Sequence, residues 1–104
     1  MISLNKDMIV FQGRQGVSGR KPQHDAASMA VEEWTFEPGV LFDGHAHKES
    51  QIAYVIKGRM KLKQDEKEIE VETGCYYYTP ANTVHQIIEI IEPTTLLIVS
   101  TPKQ

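Results

Sequence analysis

Residues 38–58 read P-G-V-L-F-D-G-H-A-H-K-E-S-Q-I-A-Y-V-I-K-G, and the two histidines inside this stretch decide how the rest is interpreted. His45 and His47 flank a single small residue. On a β-strand such a pair points to one face, with Cα atoms ~6.6 Å apart, so both imidazoles can converge on one metal ion. Gln51 follows with a side-chain carbonyl that can also coordinate, and His85 is a further candidate far along the chain. Three of the four histidines thus fall into one pattern.

Working outward, the chain alternates short strand-like runs with turn residues. Met8 to Phe11 reads as an edge strand. Residues 12–28 hold three glycines, Pro22, Arg14, Arg20 and Lys21, and read as a loop that includes His24. The barrel core is expected over 28–100. Met29 to Glu37 is rich in β-branched and aromatic residues, with Trp34 and Phe36 on one face, and ends at Pro38-Gly39. Asp43-Gly44 is a turn signal directly before the histidines. Ile52 to Ile56 and Arg59 to Gln64 read as two strands joined by a hairpin at Lys57-Gly58. Asp65-Glu66 and Glu72-Thr73-Gly74 turn the chain around Ile69 to Val71. Cys75 to Thr79 is a strand whose three tyrosines cannot all face inward, and packing is their first role. Val84 to Ile91 follows, with His85, Ile87, Glu89 and Ile91 on one face by parity. Pro93-Thr94 turns into a last strand, Leu96 to Val99. Turn signals every few residues and no amphipathic helix predict an all-β, antiparallel sandwich or small barrel.

Two spaced patterns resemble the signature motifs of the cupins. The first is Gly39, five residues, His45-x-His47, three residues, Gln51, six residues, Gly58. The second is Gly74, five residues, Pro80, one residue, Asn82, two residues, His85, three residues, Glu89. The motifs depart from the family pattern where Gln51 stands for a glutamate ligand, and where Asn82 and Glu89 stand for glycine and asparagine. The resemblance implies one jelly-roll β-barrel domain with a metal held inside by His45, His47, Gln51 and His85. That ligand set is similar to the pectin-degradation cupins, which linearise unsaturated uronates. Those proteins carry a catalytic aspartate on the last strand, where this chain has Ile98 in Leu97-Ile98-Val99-Ser100-Thr101-Pro102.

At 104 residues the chain is one domain, and its net charge of −3 offers no basic footprint for nucleic acid or an anionic membrane. One cysteine, Cys75, excludes an internal disulfide and suits a reducing cytosol. No run approaches the ~20 apolar residues of a membrane span, and no segment has the build of a signal peptide, so a cytoplasmic location is expected. The second face of Val84 to Ile91 is half apolar, which predicts a homodimer.

Imidazole suits Fe, Mn, Ni, Co, Cu and Zn alike, so the expectation is one divalent transition metal of unassigned identity. Three neutral histidines and a neutral amide leave the ion's charge uncompensated, making it a stronger Lewis acid than one with a glutamate ligand. Two functions follow. One is a metal-dependent enzyme acting on a small polar substrate, such as a sugar acid or other carboxylate, by isomerase, lyase or dioxygenase chemistry. The other is a non-catalytic module binding a metal and a small ligand. For the enzyme, Glu89 is the candidate proton-transfer residue on the face of His85, while Glu49 is read as a solvated residue at the rim.

Overall fold

A computed structural model describes residues 2–23 and 28–101; His24 lies outside the described residues. After a single 3-10 turn at Asn5–Asp7, seven antiparallel strands follow: β1 (Ile9–Gln12), β2 (Val17–Lys21), β3 (Ala30–Phe36), β4 (Gln51–Gln64), β5 (Lys67–Glu72), β6 (Tyr76–Thr79) and β7 (His85–Ser100). They run in the order β1-β2-β3-β7-β4-β5, with β6 on β4. The fold is a single jelly-roll barrel, as the sequence implied.

The architecture turns on β4 and β7, which pair from Gln51↔Ser100 to Gln64↔His85. Each was expected as two strands broken by a turn. Instead Lys57-Gly58 and Pro93-Thr94 face each other at a shift of register, and the two-stranded ribbon bends there from one wall of the barrel to the other. The Gly58 φ of 113° supplies the bend. Its missing side chain also lets the Pro93-Thr94 backbone approach closely. Both dipeptides are genuine punctuation, but they mark a corner and not a reversal. True reversals occur at Asp65-Glu66, where both residues take positive φ, and at Gly74.

Val17, Phe36, Val55, Met60, Leu62, Val71, Ile90 and Leu96 form the core. Within the expected loop over 12–28, Val17–Lys21 form a strand, and buried Val17 shows that the core is not confined to 28–100. β2 has weak β propensity because of Ser18 and Gly19, yet it is held between β1 and β3. Gly19 is required there because the Phe11 ring lies directly over it and meets Trp34 edge-on at 4.8 Å. Tertiary pairing overrides local propensity.

Of the three tyrosines, Tyr77 faces inward against the core, and burial raises its hydroxyl pKa. Tyr76 and Tyr78 face outward and are exposed. Among the described residues no helix is long and apolar enough to cross a membrane.

Candidate metal centre

The loop between β3 and β4 carries His45 and His47 and is fastened at several points. Arg14 donates from its guanidinium to the Leu41 carbonyl and lies over the Phe42 ring. Gln86 donates to the Phe42 carbonyl at 2.8 Å. His45 and His85 exchange both backbone hydrogen bonds, at 3.0 and 2.9 Å, so the loop borrows one rung of β-ladder from the start of β7. Asn82, at φ 62°, donates its N–H to the His47 carbonyl at 2.7 Å. Ser50 then bonds Thr101 and Ala81 as the chain enters β4.

This bracing brings the three imidazoles together. Ring centroids lie 4.3 Å apart for His45 and His85, 4.8 Å for His47 and His85, and 5.6 Å for His45 and His47. One ring nitrogen from each lies within 4.8 Å of the others. A nitrogen triad about 2.1 Å from a tetrahedral ion spans about 3.4 Å, so a small rotation of the rings closes the set.

The hydrogen bonds of the other ring nitrogens fix the tautomers. His45 Nδ1 faces the Asp43 carbonyl at 3.3 Å, His47 Nδ1 the Glu49 carbonyl at 2.8 Å, and His85 Nδ1 the Thr83 carbonyl at 3.0 Å. A carbonyl only accepts, so each Nδ1 carries a hydrogen, and Nε2 is the nitrogen left to meet a metal ion when the ring is neutral. Imidazoles oriented through their outer nitrogens are the usual preparation of metal ligands. The pattern repeats at two-residue offset in each case, a regularity the sequence alone did not show.

Burial lowers the His85 pKa from the ordinary 6.5; the Thr83 bond opposes this and the neighbouring His45 and His47 reinforce it. The folded state therefore favours the neutral ring. This contribution to stability is present above the unfolded value of about 6.5 and is lost as pH falls below it. The thermal midpoint of the metal-free protein is expected to drop as pH falls below about 6.5, less steeply in His85→Gln. Equal slopes in the two proteins would contradict this.

Gln51 opens β4 opposite Thr79 and shares its face with buried Ala53 and Val55, so its carboxamide is on the inner side. Glu49 is not the solvated rim residue expected: it is half-buried, with a carboxylate oxygen 3.5 Å from His47 Nδ1. Glu89 is a clear correction. Leu62 pairs with Ile87 but Lys61 with Glu89, so β7 gains one residue at Ile88. The bulge reverses the parity. Ile90 enters the core, and Glu89 is exposed on the outer side.

A family profile described as "Cupin domain" matches residues 32–100. The chain is a cupin. No curated protein sequence matches it, whereas many solved structures do. KdgF from a Halomonas species superposes with a TM-score of 0.86 at 18% identity, covering 100% of this chain and 96% of that one. An RmlC-like cupin from Shewanella frigidimarina gives 0.85 at 18% identity, covering 98% and 90%. The polyketide cyclase RemF from Streptomyces resistomycificus gives 0.81 at 19% identity, covering 97% and 78%. At such identities the likeness establishes the shared barrel. What this cupin does has to be argued from its own site.

Proposed function

We propose that this cupin holds one divalent transition metal ion through His45, His47 and His85, with Gln51 as fourth ligand, and acts as an enzyme on a small carboxylate or sugar acid. The observation that carries the reading is the convergence of three imidazoles whose Nδ1 atoms are all bonded to backbone carbonyls. A metal bound there would supply Lewis acidity toward an oxygen-bearing ligand, undiminished by any anionic protein ligand. The protein's part is to hold the imidazoles' orientation and exclude bulk water behind the core residues Val55, Met60 and Leu96. Superposable cupins include a polyketide cyclase, which supports an enzymatic role without naming the reaction.

The test is to load the protein with metal and incubate it with unsaturated uronates and a panel of small keto and hydroxy acids, following turnover and melting temperature. At least one acid is expected to raise the midpoint or be converted. If none does either, the small-acid reading fails.

A second reading, a binding module without turnover, is favoured by Ile98 standing where the uronate-linearising cupins have their acid, and by the outward turn of Glu89. Ligand stabilisation with no conversion of any panel member would select it.

The assembly inferred is a homodimer, through a face other than the one expected. Ile52, Tyr76 and Tyr78 are exposed on the outer side of β4 and β6, beside Tyr54, and the Tyr54 and Tyr76 rings lie 4.6 Å apart. Leu97 and Val99 continue this face on β7. Contiguous apolar and aromatic surface of this kind is typical of an interface. Light scattering at micromolar concentration is expected to give twice the chain mass, and Tyr76→Glu to give the monomer. A monomeric wild-type protein would contradict it.

A further inference from the structure

Across the wall that contains Gln51, the antiparallel register arranges the inner face in rows. The row at the histidine end is Ala30, Ser100, Gln51 and Thr79, from β3, β7, β4 and β6. The next is Glu32, Ile98, Ala53 and Tyr77, and the third contains Trp34, Leu96 and Val55. Burial fixes the sense of these rows: Thr79, Ala53, Leu96 and Val55 are buried, and Trp34, Tyr77 and Ile98 pack against the core. Glu32, which alternates with Trp34 and Phe36, therefore belongs to the inner face, ~7 Å along the strand from Ala30 at the rim.

That rim is the one the histidines occupy. Ser50, three residues after His47, is bonded to Thr101 just beyond the end of β7. Thr79 donates to Gln64 at 3.1 Å, and Gln64 pairs with His85. The adjacent Glu33 is different: it faces outward and is held by Arg20 at 2.9 Å. Continuing the register one residue past Arg20↔Glu33 sets Lys21 opposite Glu32 on the inner side. Of the three cations in the early segment, Arg14 is engaged by the histidine loop and Arg20 by Glu33, whereas Lys21 shares its strand face with buried Val17 and Gly19. Stability alone would place an apolar residue at position 32, as at 34 and 36, because a carboxylate turned toward a barrel interior costs free energy. A charged group kept on the inner face, one row in from the rim that carries the histidines, is a candidate for function.

The geometry points to Glu32 as the proton-transferring carboxylate of the site, with Lys21 opposite it to meet a ligand's anionic group. The inference rests on the metal-site reading above. Glu32 removes a proton from carbon next to a carbonyl: the C–H bond breaks, an O–H bond forms on Glu32, and the electron pair moves to the carbonyl oxygen. Returning that proton to another atom of the same molecule completes an isomerisation, with no oxidant or second reactant. The acid absent from position 98 is thereby supplied by its direct cross-strand neighbour.

The experiment loads wild-type, Glu32→Gln, Glu32→Asp, Lys21→Met and Glu33→Gln proteins with Co²⁺ and titrates azide by visible absorption. All five are expected to hold equal Co²⁺. Azide should bind about threefold or more tighter in Glu32→Gln and about threefold or more weaker in Lys21→Met, with Glu33→Gln and Glu32→Asp close to wild type. In D₂O, exchange at the α-carbon of small keto acids should slow about 100-fold or more in Glu32→Gln and be partly kept by Glu32→Asp. A wild type that takes up no Co²⁺ removes the metal reading and this one with it. Equal azide affinity in Glu32→Gln and Glu33→Gln, with Co²⁺ bound, overturns the placement of Glu32 alone. Azide shifts without exchange in the wild type, or with exchange undiminished in Glu32→Gln, overturn its role in proton transfer.

Discussion

Replacing both His47 and His85 by alanine is expected to abolish metal binding while the protein stays folded. Losing even one outer partner of a metal-ligating histidine typically costs 10–100-fold in affinity, and this variant deletes two ligands outright. The remaining His45 and Gln51 provide too few donors for a transition ion at micromolar concentration. The fold should survive because neither histidine belongs to the core built from Val55, Met60, Leu62 and Leu96. Removing His85 also removes a ring that burial already disfavours in its charged form. Metal analysis after dialysis, paired with thermal melting, reads both halves of the expectation. Stoichiometric metal in the double variant would mean that the three-histidine cluster is not the binding site.

Gly58→Ala should be the most damaging single-methyl change in the chain. A Cβ there would strike the Pro93 carbonyl oxygen and lie 2.6 Å from both Cα and Oγ1 of Thr94, all at the corner where β4 and β7 bend. Thr94 is fully buried and its hydroxyl donates to the Glu92 carbonyl at 2.7 Å, so it has nowhere to retreat. The φ of 113° adds strain for any L side chain. Together these predict a loss of about 3 kcal/mol or more, or about 15 °C in melting temperature for a domain of this size. Gly39→Ala separates the two causes, because Gly39 has φ 91° but open space around it. It should cost about 1 kcal/mol, the backbone strain alone. Similar midpoints for the two variants would show that crowding at the corner is not what requires Gly58.

How far the site could be read from sequence follows from which distances are local. His45 and His47 are two residues apart, and the second spaced motif brought in His85; all three meet in space. What failed was parity carried too far. Alternation predicts faces only while the ladder is regular, and one extra residue at Ile88 sent Glu89 to the outside. Turn residues misled in the same way at Lys57-Gly58 and Pro93-Thr94, since a glycine with positive φ serves a bend as well as a hairpin. β2 was missed because Ser18 and Gly19 have no strand signal of their own, and only Phe11 packing over Gly19 explains them. Glu32 was invisible because its importance lies in a cross-strand pairing with Ile98, 66 residues away, which no local pattern encodes. The antiparallel all-β class was legible because alternating runs and turn residues are local signals, whereas the jelly-roll followed from the resemblance carried by the two spaced motifs.

In the proposed site, three imidazole Nε2 atoms at the barrel rim hold one metal ion. Anomalous diffraction from crystals of the untagged, metal-loaded protein tests it directly. The expected result is one anomalous peak per chain, about 2.0–2.2 Å from Nε2 of His45, His47 and His85, with each Nδ1 still bonded to its carbonyl. A peak bound through Nδ1, a peak elsewhere on the barrel, or none at all between the three rings would contradict it.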